Sequence, residues 1–188
     1  VEPDWAALVA REVRELLAGS ALAGSPVVEF SAVTGAGQPE LLAAIDAQLA
    51  GLAGRSVAEP VRLPVDRVFT VEGFGTVVTG TVFAGRVQVG DKLVVSPSGK
   101  EVRVRSIHAQ NRASESGQAG QRCALNLAGV EKKDIVRGDW VLAPAVHSPT
   151  QRLDVRIKLP AAARRVLRHW TPVHVHVGAA DVLGRVSL

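Results

Sequence analysis

Two arginines and one aspartate are the residues whose placement invites a chemical reading. Asp66 and Arg67 stand together at the start of a β-like run, and Arg122 sits beside the sole cysteine in AGQRCALNLAG. Cys123, Leu125 and Leu127 alternate inward in that run, so Arg122 is left to face solvent or a ligand. A guanidinium is protonated at every physiological pH and makes a durable partner for an anion. On their own, Asp66 and Arg67 read as a surface charge pair contributing well under ~1 kcal/mol. Being adjacent, they point to opposite faces of a regular strand, and both reach one site only at a strand end or a bulge. Arg67 and Arg122 are therefore favoured over Asp66 as direct contacts.

Other constellations are weaker. His174 and His176 are two apart, hence on one strand face, but no third ligand lies near and no metal site is assigned. Arg164, Arg165, Arg168 and His169 form a basic cluster that reads as a solvated turn, and Glu131, Lys132, Lys133 and Asp134 as an exposed loop of mixed charge. The loop Ser31-Ala32-Val33-Thr34-Gly35-Ala36-Gly37 joins an apolar run to a helix start. Its Gly-x-Gly lacks a third glycine, Glu40 standing there instead, which disfavours a dinucleotide fingerprint and with it a nicotinamide or flavin oxidoreductase. No Gly-x-x-x-x-Gly-Lys-[Ser/Thr] loop and no Asn-Lys-x-Asp occur, and Asp181-Val-Leu-Gly184 matches Asp-x-x-Gly only by chance. No catalytic residue is assigned.

The elements that must position these residues are mostly short strands. From Arg62 to Asn111, Val and Thr alternate, glycines mark corners, and Ser96–Gly99 turns one strand into the next. Strands are expected near 61–71, 74–83, 91–96, 100–108, 120–127 and 139–143. Spaced so closely, with no helical period between them, they call for an antiparallel barrel. Before them, Trp5, Leu8, Val9, Val13, Leu16 and Leu17 have helical spacing. Val27–Phe30 reads as a buried strand, and Pro39 opens a helix with a stripe of Leu42, Ile45, Leu49 and Leu52. After Pro144–Pro149, Arg152–Leu159 alternates, and Val173–Val177 and Val182–Leu188 read as strands. The expected division is 1–55, an α/β tail; 61–144, a complete barrel; and 150–188, the start of a second barrel.

The totals fit this outline. Hydrophobic residues make up 47% of the 188 and charged residues 21%, enough to build a core. A net charge of +4 permits contact with RNA without demanding it. With one cysteine no internal disulfide forms, so a reducing compartment is the natural setting. No apolar run approaches the ~18 residues a membrane span needs. Starting at Val1 without Met, the chain reads as a piece of a longer one.

The run FTVEGFGTVVTGTV followed by GRVQVGD resembles the second domain of translational GTPases of the elongation factor Tu family. The strings RSIHAQN, AGQRCALNLAG, RGDW and TPVHVHVGAADVLGRVSL are similar to its selenocysteine-specific branch. That resemblance implies a mostly β chain: a central antiparallel barrel of the translation-factor domain 2 type, flanked by the C-terminal tail of a GTPase domain and the start of domain 3. It makes Ser31, Ala32 and Val33 the guanine-base loop. Asp66, Arg67 and Arg122 match the branch's pocket for the aminoacyl end of tRNA; His108, which on its own reads as a structural histidine at a strand end, is a further candidate for lining it. Selenocysteine ionises well below serine and is an anion at neutral pH, which suits arginine. Arg164, Arg165 and Arg168 become candidate tRNA phosphate contacts.

The implied parent is a cytoplasmic, GTP- and magnesium-dependent factor that delivers selenocysteinyl-tRNA to a ribosome at recoded UGA codons. It reads an mRNA hairpin through C-terminal domains outside this chain. A general or initiation-factor-like carrier of another aminoacyl-tRNA is the rival, with a neutral pocket in place of Arg122. This stretch alone, without a phosphate loop, is expected neither to bind GTP nor to hydrolyse it.

Overall fold

A computed structural model describes residues 3–159 and 166–188. The chain divides into two units, Val1–Ala53 with Val155–Val166, and Gly54–Asp154 with Leu167–Leu188.

The first unit contains two helices, α1 (Pro3–Leu17) and α2 (Gln38–Ala50). Pro39 fits the first turn of α2, where no amide partner is needed. Trp5, Val9 and Leu16 of α1 stay exposed, as do Leu42, Ile45 and Leu49 of α2. Val27–Phe30, expected as a buried strand, is extended chain outside any ladder, Val27 and Val28 half-buried and Glu29 and Phe30 exposed. A strand exists only by pairing, and no described residue pairs with this one. Arg152–Leu159, which alternates in sequence, is likewise irregular and exposed.

The second unit is the barrel. Its strands are β1 (Arg62–Pro64), β2 (Arg67–Val71), β3 (Gly75–Thr81), β4 (Arg86–Gln88), β5 (Lys92–Ser96), β6 (Lys100–Ala109), β7 (Arg112–Ser114), β8 (Ser116–Gln118), β9 (Arg122–Ala128) and β10 (Trp140–Leu142). The main sheet runs β1-β10-β5-β6-β9-β3-β2, with β7 beside β6, while β4 and β8 pair separately. All its pairings are antiparallel. The sheet curls until its ends meet. Val65 donates to the Asp139 carbonyl at 2.8 Å on the β10 side, and Asp66 donates to the Thr79 carbonyl at 2.8 Å on the β3 side.

That seam corrects one expectation. The single strand expected over 61–71 is broken at Val65-Asp66, because those two residues change partners there. The close crossing also explains Gly80: a Cβ on it would lie 2.1 Å from the Pro64 carbonyl oxygen. The strands β4, β7 and β8 were not expected, since three residues are too few for alternation to show. Inside, Leu63, Val78, Val95, Ile107, Leu125 and Val141 are at most 1% exposed. Each such side chain contributes about 1.5–3 kcal/mol on burial.

Also in this unit, β11 (Thr171–Val177) and β12 (Ala180–Val186) form a hairpin. Its turn is close-fitting: a Cβ on Gly178 would lie 3.0 Å from both Pro64 and Trp140.

Candidate functional site

The register of the barrel sets the site. His108 of β6 pairs with Ala124 of β9, Ala124 with Thr79 of β3, and Thr79 with Arg67 of β2. Residues directly opposed in antiparallel strands share a face, so these four form one row across four strands. Inward positions of the same strands hold Val78 and Cys123, so the row lies on the outer face. Arg122 is two residues before Ala124, on that face too, opposite Thr81. From strand spacing and rise, the Arg67 and Arg122 backbones are about 12 Å apart, and His108 and Arg67 about 14 Å. Ala124 and Thr79 are small, leaving a shallow floor between the longer side chains.

Asp66 completes the group from the seam. It lies just before β2 and outside the regular strand, which resolves the difficulty of two adjacent residues serving one face. The Arg122 Nη1 donates to Asp66 Oδ2, and Nη2 donates to Oδ1 at 3.1 Å, a fork-on-carboxylate pair. Thr79 donates its hydroxyl to Asp66 Oδ1 at 2.6 Å, and Arg122 Nη2 reaches Thr79 Oγ1 at 3.3 Å. Thr79 was missed in the sequence reading. Its outward alternation in GTVVTGT, two residues before Thr81, was the available signal.

The electrostatics follow. Partial burial pulls the Asp66 carboxyl up, but hydrogen bonds from Arg122 and Thr79 and the charges of Arg122 and Arg67 outweigh it, holding the group below the usual carboxylate range. The hydrogen bond that Arg122 donates to Asp66 raises Arg122 in turn, against its own slight desolvation. The side chains are 30% exposed for Asp66 and 52% for Arg122, so a ligand can reach them. One carboxylate and two guanidiniums leave a net positive face. Among the described residues Arg67 has no ion-pair partner within salt-bridge distance.

A depression in this unit lies elsewhere. About 440 Å³ in volume, it is lined by Thr70, Thr76, Arg105, Gly129, Lys132 and Lys133, at the far ends of β3 and β9 from Arg122. None of Asp66, Arg67, His108 or Arg122 lines it. Their site is an open face, not a cavity.

The remaining candidates lie apart. In the 31–37 loop, Ser31 donates to the Ala36 carbonyl at 2.9 Å and Gly35 to that of Ser31 at 2.8 Å. Thr34 donates to Ser31 Oγ and Ala36 to Thr34 Oγ1, both at 3.3 Å. Ala32 and Val33 have no such backbone bond among the described residues, and Val33 is 96% exposed. Gly37, at φ 76°, brings the chain so close that a Cβ would meet the Glu29 carbonyl. His174 Nδ1 lies 2.9 Å from Asp181 Oδ1, with His176 at 3.9 Å. Among the described residues no cluster of three metal-ligating side chains occurs, and no helix is long and apolar enough to cross a membrane. Arg164 and Arg165 fall outside the described residues; Arg168 is exposed just before β11.

Comparison with known proteins places this architecture. Residues 75–142 match the model of elongation factor Tu domain 2. Residues 151–188 match that of the selenocysteine-specific elongation factor β-barrel domain. The chain is 40% identical over 186 residues to the selenocysteine-specific elongation factor of Desulfomicrobium baculatum, covering 99% of this chain and 29% of that protein. Against the same factor of Escherichia coli K12 it is 42% identical over 183 residues, 96% of this chain and 28% of the relative. It thus spans under a third of these relatives. Translation elongation factor SelB from Methanococcus maripaludis, in complex with the GTP analogue GppNHp, superposes with a TM-score of 0.84 at 29% identity, over 97% of this chain and 41% of that one. A bacterial selenocysteine-specific factor, EF-Sec, gives 0.82 at 29% identity, over all of this chain and 31% of the other. By these matches the chain carries an elongation factor Tu-type domain 2 and a stretch of the selenocysteine-specific elongation factor β-barrel domain.

Proposed function

We propose that this chain is the aminoacyl-end recognition segment of a GTP-dependent factor that carries selenocysteinyl-tRNA to the ribosome at recoded UGA codons. The division into a GTPase-domain tail (1–55), domain 2 (61–144) and the opening of domain 3 (150–188) belongs to the same proposal. The observation that carries it is the outer-face group: Arg67 and Arg122 on one face, with Asp66 forked onto Arg122. Two guanidiniums favour an anionic side chain over a neutral one, and that is the difference between selenocysteine and serine at neutral pH. His108, in the same row, closes the far side of the face.

GTP and magnesium belong to the parent. The residues present here fit only the base end of such a nucleotide: Ala32 and Val33 offer amides in an exposed loop, and nothing in the sequence cradles phosphates. Arg168, with Arg164 and Arg165, serves tRNA phosphates, and an mRNA hairpin is read by other parts of the parent. The test is equilibrium binding of selenocysteinyl- and seryl-tRNA, on the same tRNA body, to the full-length factor with GTP. Tighter binding of the selenocysteinyl form supports the reading; equal affinities overturn it.

A further inference from the structure

Asp66 is bonded to the cation that the proposed ligand would need. Both terminal nitrogens of Arg122 contact the two carboxylate oxygens, and Thr79 fixes one of those oxygens from the side. The Asp66–Arg122 pair is therefore neutral as a unit, and beside it Arg67 has no ion-pair partner among the described residues. An anion that approaches Arg122 must compete with Asp66. If it displaces the carboxylate, Asp66 loses its two hydrogen bonds from Arg122 and keeps one from the neutral Thr79 hydroxyl, with the unbonded charge of Arg67 nearby. A ligand bearing an anion alone thus makes one charge pair and breaks another. A ligand bearing an anion and an ammonium group exchanges both: its anion replaces Asp66 on Arg122, and its ammonium replaces Arg122 on Asp66.

Resting on the function just given for this face, we propose that the Asp66–Arg122 pair is a charge-exchange gate that couples recognition of the anionic side chain to recognition of the free α-ammonium group. Arg67 sets the sign of the side chain accepted, and Asp66 makes acceptance conditional on the amine. Thr79 is a positioning residue: it holds the Asp66 carboxylate at the seam so that the exchange needs no backbone movement. The occupant is a zwitterionic aminoacyl group, and the gate disfavours both N-blocked groups and stray small anions. In binding terms the two charges of the ligand are cooperative, which a site of independent contacts would not show.

The test uses the full-length factor with GTP and four ligands: selenocysteinyl- and seryl-tRNA, each joined through a stable 3′-amide, each with a free or an N-acetylated amine. The quantity read is the ratio of the selenocysteinyl to the seryl affinity, in which contacts common to both amines cancel. In the unaltered factor this ratio falls about fivefold or more on N-acetylation. In Asp66→Asn, which frees Arg122, the ratio no longer depends on the amine. The same ratio is read without acetylation by raising the pH from 7 to 9, where an α-amino group of pKa about 7.7–8.0 is neutralised while the selenolate stays ionised. It falls in the unaltered factor and holds in Asp66→Asn. A ratio that neither treatment changes in the unaltered factor overturns the gate. A ratio near one for the free-amine ligands would instead remove the selenocysteine reading itself, so the two failures are distinguishable.

Discussion

Arg122, from the first position of β9, lays its guanidinium fork on the carboxylate of Asp66, a residue 56 positions earlier at the seam where the barrel closes. The seam puts Asp66 outside the regular strand, and antiparallel register puts Arg67 on the same face as Arg122. Fold closure and site assembly are thus one event: the dipeptide that joins the ends of the sheet also delivers the carboxylate.

Because the Arg122 side chain is half open to solvent, its loss should scarcely affect folding. Arg122→Ala is expected to cost no more than about 1 kcal/mol of stability. Urea titration of the variant should show an almost unshifted midpoint, while binding selectivity collapses.

Asp66 contributes to the acid side of the stability profile. Its folded-state pKa is lowered, so its contribution is fully present above the usual carboxylate value near 3.8 and is lost as pH falls through the lower folded value. Stability of the native chain should therefore drop more steeply below about pH 4 than that of Asp66→Asn, measured as denaturation midpoints between pH 3 and 7.

Barrel closure depends on glycine where β3 passes β1. Gly80→Ala would drive a methyl group into the Pro64 carbonyl and the Leu63 side chain, at 2.1 and 2.8 Å. Forcing the backbone apart there should cost at least about 1–3 kcal/mol. Thermal melting of the variant checks this, with Thr81→Ala, exposed on the same strand, expected to stay near the native value.

A second tight contact can be relieved. A Cβ on Gly117 would lie 2.4 Å from Cys123 Sγ. Gly117→Ala should destabilise the barrel, and adding Cys123→Ala should recover part of the loss, read as a coupling energy in a double-mutant cycle. The buried thiol, its pKa pushed up by burial, should react with a disulfide reagent only after denaturation.

Much of this was legible in the sequence. The barrel showed because Val and Thr alternate around glycine corners, and Arg122 was seen to point outward because Cys123, Leu125 and Leu127 point in. The break at Val65-Asp66 was not legible, since changing partners at a seam leaves the local pattern β-like. Thr79 was passed over for the same reason: a threonine in a strand is ordinary until register sets it opposite Arg67. Val27–Phe30 misled because apolar composition marks a strand only where partners exist. The distance between the depression at Lys132 and the charged group also had no signal, for it depends on how the 129–133 loop folds over β3.

On the proposed function, two arginines on one barrel face read the charge of the aminoacyl side chain. The most direct test of that reading is the ratio of selenocysteinyl- to seryl-tRNA affinity in the full-length factor with Arg67→Ala and Arg122→Ala. Each charge-assisted contact removed should lower that ratio by about tenfold or more, with seryl-tRNA affinity little changed. A ratio that stays at the native value in both variants would mean that these arginines do not read that charge.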